Sequence, residues 1–328
     1  MGEFNKYYLK EINIGKLKLE SNVLMAPLAG YTCFPFRLMA YEMGAGAAYT
    51  EMVSVNGLKY NDAATSRLLY TDEREKLKCV QLLGSDPKLF EMVARSKIIE
   101  PFDLIDINMG CPVPNVVKDG AGCSLVKDIR RASKIIEACV RSGKTVTVKM
   151  RPGFNDKSIV IHEMAVMCEE SGASMITVHG RTRDMMFSGE PLYELIAIAK
   201  DSVDIPVIAN GGINDEESAV KMMKQTGADG IMLARYGFEN PILFAELTGK
   251  KIKASRKELI IKQTYLAEEC YSLTFALEYI RKLAGYFMKK VPGTKKYRIE
   301  INKTGSIEEI RKLLTMAFDE ASDVSSVK

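Results

Sequence analysis

Eight short apolar, β-branched runs constrain this chain more than any other feature of it. They fall at residues 23–25, 48–52, 79–83, 104–108, 146–150, 175–179, 207–210 and 231–234, with patterns of helical period between them. The unit recurs at irregular intervals of roughly 25–35 residues, the length of a strand and its helix. Within the helical patterns at 126–140, 158–171 and 216–226, Asp128 and Asp215 are placed to start helices, and Gly143, Gly172 and Gly227 to end them. Eight such alternations predict an α/β chain closed into a (β/α)8 TIM barrel rather than an open sheet. An open doubly wound sheet carries a Gly-rich fingerprint at its first βα turn, where this chain has Pro27-Leu28-Ala29-Gly30.

Two segments stand outside the repeat. Residues 12–19 alternate apolar and polar around Gly15, which predicts a hairpin able to close the bottom of the barrel. After Glu246 the alternation stops, and helical stretches near 257–271, 275–290 and 306–320 follow, punctuated by Gly249 and Pro292-Gly293. The expected organisation is a barrel domain over 1–247 and a smaller C-terminal helical domain over 248–328. A single core rarely grows past ~250–300 residues, which suits a chain of 328.

Charge separates the same two parts. Residues 248–328 hold 17 Lys and Arg against 10 Asp and Glu, whereas the rest of the chain holds 29 against 32. A basic tail on a faintly acidic body suits a polyanionic partner, and equally suits a solvated lysine-rich surface. The seven cysteines (33, 79, 111, 123, 139, 168 and 270) are scattered and form no CxxC pair, which argues against a disulfide framework and a zinc site. Only two histidines occur, so a histidine-rich metal site is not available, and His162-Glu163 has no second histidine after it. Gly143-Lys144-Thr145 lacks the first glycine of a P-loop, and residues 44–49 lack the third glycine of a dinucleotide fingerprint. No apolar run approaches the ~20 residues of a membrane span, and the start lacks the order of a signal peptide, so a cytoplasmic protein is expected.

In a parallel α/β barrel the chemistry collects at the carboxyl ends of the strands. There Asp106-Ile107-Asn108-Met109-Gly110-Cys111-Pro112 ends an apolar run in turn residues and a thiol, making Cys111 the candidate reactive group. Asn210-Gly211-Gly212 and Ala234-Arg235 end the seventh and eighth runs, the usual place for a phosphate held by backbone N–H groups and a guanidinium. Glycine pairs also simply end strands. Gln81 and Lys149 interrupt apolar runs; a buried lysine needs a purpose or a partner, and an ion pair with Asp106 is the structural alternative. His179 is either a satisfied core residue or, with Arg181 and Arg183 beside it, part of an anion site.

Taken together, the segments 25–30 with 35–37, 80–85, 106–112, 149–151, 177–183 and 207–212 resemble the flavin-dependent tRNA-dihydrouridine synthases of bacteria. The resemblance spans about residues 20–240 and continues more weakly through Arg281-Lys282 and Tyr286-Phe287. Ala234 replaces a common glycine, and Leu283 and Tyr286 replace a common histidine and tryptophan. The resemblance implies non-covalent FMN at the barrel mouth, NADPH as reductant, and reduction of the C5–C6 bond of specific tRNA uridines. Pro27, Leu28 and Ala29 would line the flavin, with Gln81 and Lys149 on its polar edge. His179, Asn210, Gly211, Gly212, Ala234 and Arg235 would hold its phosphate. Asn108 would face the uracil, and Cys111 would give a proton to C5. Arg181, Arg183, Arg281, Lys282, Lys289 and Lys290, with Lys295, Lys296 and Arg298, are the expected tRNA contacts. No metal and no membrane partner are expected, and a monomer is the default. An FMN barrel acting on a free pyrimidine, as in dihydroorotate chemistry, and a non-catalytic tRNA-binding barrel are the alternatives. Which uridine is reduced is not legible.

Overall fold

The computed structural model describes residues 2–60, 62–289 and 291–326, with side chains described as far as residue 321. Residues 12–14 (β1, Ile12–Ile14) and 17–19 (β2, Leu17–Leu19) pair antiparallel across Gly15, whose φ is +57°. The barrel strands are β3 (Val23–Met25), β4 (Ala47–Ser54), β5 (Cys79–Leu83), β6 (Leu104–Met109), β7 (Thr145–Met150), β8 (Met175–His179), β9 (Val207–Asn210) and β10 (Gly230–Leu233). Each pairs in parallel with the next, and β10 returns to β3 to close the ring. This is the TIM barrel expected from the repeat. β4 runs on to Ser54, two residues past the apolar run, with a register shift between Tyr49 and Met52.

Strand alternation sorts the side chains. Val23, Met25, Val80, Ile105, Ile107, Val146, Val148, Ile176 and Val178 pack outward against the helices. Leu24, Ala47, Tyr49, Cys79, Leu104, Met175, Ile208 and Met232 form a separate inner cluster, and the hairpin residues Ile12, Ile14 and Leu19 join it from below. The hairpin therefore plugs the barrel, as its pattern suggested. Moving up the inner wall in steps of two, apolar residues give way to Gln81, Asp106, Thr147 and Thr177, and then to Asn108, Lys149, His179 and Asn210. A dry floor and a polar mouth follow from parity alone.

The expected caps occur: the Asp128 and Asp215 side chains accept from Arg131 N and Ser218 N, and Gly227 ends its helix in the left-handed region. After the barrel come four helices, Arg256–Cys270, Leu273–Phe287, Lys295–Lys303 and Ile307–Ser326, rather than the three expected. The additional one buries only Tyr297 and Ile301 among seven polar or exposed residues, so its apolar stripe is too thin to read. The helical part docks on the loop after β3. Gln263 Nε2 donates to Pro35 O at 2.9 Å, Phe34 N donates to Tyr271 Oη at 3.1 Å, and Tyr31, Phe238 and Tyr286 stack edge to face. Tyr286 thus serves as a packing residue at that seam. Among the described residues no helix is long and apolar enough to cross a membrane.

Candidate active site

The mouth is built on a hydrogen-bonded layer across β5, β6 and β7. Register places Gln81, Asp106 and Thr147 side by side. Gln81 Nε2 and Thr147 Oγ1 donate to the two Asp106 oxygens at 2.7 and 2.6 Å. Gln81 Oε1 accepts from Asn108 Nδ2 at 2.8 Å, and Asn108 Oδ1 accepts from the N–H groups of Gly110 and Cys111 at 3.1 and 2.9 Å. Burial raises the Asp106 pKa to about 6 against the two hydrogen bonds that lower it. The alternative of an ion pair between Asp106 and Lys149 is not what forms: Lys149 Nζ donates to Asn210 Oδ1 at 2.8 Å. Burial, and then the neighbouring Arg151, push the Lys149 ammonium down to about 8.

Cys111 follows β6 directly and is 7% exposed. Burial raises its thiol above the ordinary range, with Arg151 and Lys149 pulling the other way. It is therefore held as S–H rather than thiolate at neutral pH. Arg151, to which the sequence reading gave no role, clamps the surroundings: its guanidinium donates to the carbonyls of Gly110 (2.9 Å), Thr182 (2.6 Å) and Met186 (2.7 Å).

Across the ring, β8, β9 and β10 end in an anion cradle. Gly211 and Gly212 have φ of +122° and +73°, backbone that residues with a side chain rarely adopt. A Cβ on Gly211 would lie 3.3 Å from Arg181 Nη1 and 3.4 Å from His179 Nε2, so backbone, guanidinium and imidazole converge there. His179 Nδ1 is buried without a hydrogen-bond partner. Burial first, then Lys149, Arg151 and Arg181, hold the imidazole well below its usual pKa, so it is neutral. Arg235 is exposed at the rim, with its guanidinium 5.2 Å from the centre of the Phe187 ring. The Gly-Gly backbone, the Arg181 guanidinium and the His179 Nε2 edge that meet at Gly211 fit a phosphate monoester, the end group of FMN.

The remaining expected residues distribute unevenly. Pro27, Leu28 and Ala29 form the turn after β3, where Thr32 Oγ1 accepts from Leu28 N at 3.0 Å. Arg181 lies away from any outer RNA-facing surface: it is 7% exposed and donates to the carbonyls of Ser188 and Gly189. Arg183 pairs with Asp184 at 3.0 Å over Phe154. Asn108 Oδ1 is fully occupied by the two loop N–H groups, leaving one Nδ2 hydrogen for any ligand. Lys282 reaches from the helical part to the mouth, where its Nζ would be 3.1 Å from a Cβ on Gly30. The buried Glu51, which the sequence reading passed over, accepts from Gly30 N there. Arg281, Lys295 and Arg298 line a separate cleft of about 320 Å³. Lys289 pairs with Glu239 at 3.6 Å, Lys296 pairs with Glu320 at 2.9 Å, and Lys290 lies outside the described residues.

The solved structures of histamine dehydrogenase from Rhizobium sp. 4-9 (TM-score 0.60, 14% identity, 80% of this chain and 51% of that one) and old yellow enzyme from Trypanosoma cruzi (0.52, 12%, 77% and 94%) share the fold. A probable tRNA-dihydrouridine synthase of Rickettsia conorii is 31% identical over 97% of this chain and 99% of its own length. tRNA-dihydrouridine synthase B of Pseudomonas aeruginosa is 31% identical over 89% and 91%, and a probable tRNA-dihydrouridine synthase 1 of Synechocystis is 34% identical over 96% and 91%. The dihydrouridine synthase family profile matches residues 24–322, nearly the whole chain, and the chain belongs to that family.

Proposed function

We propose that the protein reduces the C5–C6 double bond of uridines in tRNA to dihydrouridine, with FMN as its flavin and NADPH as its reductant. The observation that carries this reading is the opposition, across one barrel mouth, of a protonated thiol at Cys111 and the anion cradle at Gly211-Gly212. The chemistry a flavin would supply here, once reduced by NADPH, is a hydride for C6 of the uracil. Cys111 supplies the other hydrogen: its S–H bond breaks as C5–H forms, and solvent reprotonates the thiolate. Its raised pKa keeps the proton in place until the base arrives.

Pro27, Leu28, Ala29, Gln81 and Lys149 would border the flavin ring, and His179, Asn210, Gly211, Gly212, Ala234 and Arg235 its phosphate. The buried Arg181 joins this second group rather than the RNA contacts. A cation at Lys149 would offset negative charge on a reduced flavin ring, and such a charge would raise the lysine pKa from about 8. Residues 1–247 act as the catalytic unit and 248–328 as the tRNA grip, in one cytoplasmic chain that needs no second copy. Lys282 at the mouth and Arg281, Lys295 and Arg298 in their cleft are the cations best placed for tRNA phosphates.

The test is Cys111→Ala with tRNA isolated from a strain lacking the protein. Flavin binding and tRNA binding should persist while dihydrouridine formation falls by about 10²–10⁴, the usual weight of a positioned acid. Full turnover in that variant refutes the acid role. Oxidation of NADPH driven by a free pyrimidine but not by tRNA points to the small-molecule alternative, and tRNA binding without any turnover of the wild type points to the binding-only one.

A further inference from the structure

Asp106 reaches neither the thiol nor the mouth, yet a directional chain connects it to both. It is 2% exposed on β6, one inward position below Asn108. A carboxylate accepts hydrogen bonds and cannot donate them, so the Gln81 amide on Asp106 must present its nitrogen downward and its oxygen upward. That oxygen takes the Asn108 amide nitrogen at 2.8 Å, which turns the Asn108 oxygen outward onto the N–H groups of Gly110 and Cys111. From the other side, Arg151 Nε donates to Gly110 O at 2.9 Å, and Cys123 N donates to Cys111 O at 3.0 Å. The polarity of every amide in the chain is therefore dictated from its buried end. With its pKa at about 6, Asp106 is ionised at neutral pH and acts there as an acceptor only.

We propose that Asp106 is a positioning residue, which through Gln81 and Asn108 fixes the backbone turn that holds the Cys111 thiol at the barrel mouth. Its consequence for turnover rests on Cys111 being the proton donor; its consequence for the turn does not. Without an acceptor at this position, the Gln81 amide is free to invert, and Asn108 Oδ1 loses the arrangement that ties it to both loop N–H groups.

The test is the rate at which iodoacetamide labels Cys111 in the full-length, flavin-loaded protein, read by peptide mass. The buried Cys123, Cys139 and Cys168 serve as internal monitors of general loosening. Asp106→Leu and the neutral Gln81→Met should each label Cys111 about tenfold faster, the weight of one charge-assisted hydrogen bond, with the monitors unlabelled. Asp106→Asn should return the rate to within about twofold of wild type, because its oxygen can still accept from Gln81 and its nitrogen can donate to Thr147. Thr147→Val, which removes the carboxylate's other donor and leaves the chain whole, should label as wild type. In Asp106→Leu, oxidation of the reduced enzyme by tRNA should slow about a hundredfold with little change in the tRNA KM, while reduction by NADPH is unaffected. An unchanged labelling rate in whichever of Asp106→Leu and Gln81→Met folds overturns the proposal. So does equal acceleration in Thr147→Val, labelling of the monitors, or a failure of Asp106→Asn to rescue. If Cys111→Ala retains full turnover, the acid role fails separately and the labelling results still decide the positioning.

Discussion

Substituting Gly211 by alanine, with Gly227→Ala as its control, separates backbone strain from anion binding. Both glycines have positive φ, +122° and +62°. An L-residue costs about 1–2 kcal/mol at the left-handed φ of Gly227 and about 1–3 kcal/mol at the wider φ of Gly211, so both variants should lose stability of that order in urea unfolding of the flavin-free protein. Beyond this the two differ. A Cβ at Gly227 meets nothing within 4 Å, whereas at Gly211 it sits 3.3 Å from Arg181 Nη1 and 3.4 Å from His179 Nε2, inside the cradle. Those groups must retreat by a few tenths of an ångström, and the methyl takes space a phosphate oxygen would use. Loss of one charge-assisted hydrogen bond costs about 1.5–3 kcal/mol, which is roughly ten- to 150-fold in affinity. FMN titration, followed by fluorescence quenching, should show this weakening for Gly211→Ala and wild-type affinity for Gly227→Ala. Equal FMN affinities in the two variants, at equal loss of stability, would refute the assignment of the cradle to phosphate.

Three further outcomes follow from the structure. Arg37 and Glu75 form a bidentate pair at 2.6 and 2.9 Å with side chains 1% and 0% exposed. Arg37→Met should therefore cost about 3–5 kcal/mol in urea unfolding by stranding the carboxylate, and Arg37→Met with Glu75→Gln distinctly less; additive losses would argue against coupling. Lys149, with its native pKa lowered to about 8, binds less proton folded than unfolded above that pH. Flavin-free stability should consequently rise as pH climbs from about 8 toward the unfolded lysine value near 10.4, and Lys149→Met should lack that rise; identical pH slopes would contradict the shift. Lys282→Ala should weaken tRNA binding and reduce the salt slope of log K by roughly 0.7–0.9, one phosphate contact, without altering the flavin spectrum; an unchanged slope would take Lys282 off the RNA path.

The barrel was legible because parallel strands buried on both faces read as apolar runs, and eight such runs between helical patterns leave little choice of architecture. Its exact edges were less so: Thr50 and Glu51 break the run in β4, which continues to Ser54. The Lys295–Lys303 helix was hidden because two buried side chains among charges make no stripe. Within the site, Gln81 and Lys149 could be read as polar interruptions of apolar strands, and Asn210 as the end of one. Their partners could not. Whether Lys149 meets Asp106 or Asn210 depends on which rung of neighbouring strands each occupies, and register is set by the closed ring rather than by either strand. The burial of Arg181 was equally invisible, because its partners are carbonyls of the loop at Ser188 and Gly189, and a loop's backbone leaves no periodic trace.

That same choice of partners explains the electrostatics of the mouth. Arg151 and Arg181 are satisfied by main-chain carbonyls and not by carboxylates, so their hydrogen bonds are met while their charge is left uncancelled. Lys149, Arg151, Arg181 and His179 are all pushed toward their neutral forms, each by burial first; neighbouring cations add to this, Arg151 at Lys149, Arg181 at Arg151, Arg235 at Arg181, and Lys149 at His179. Such a cluster is a standing demand for an anion, and a phosphate or a negatively charged ring would reverse every one of these shifts. In the closed order of eight strands, β6 lies four places from β10 in either direction, so the thiol and Arg235 stand on opposite walls. The ring fixes the separation of their two strands, the Asn108 side chain ties the Cys111 turn to that ring, and a rigid planar ligand anchored at one wall must present its far part toward the other.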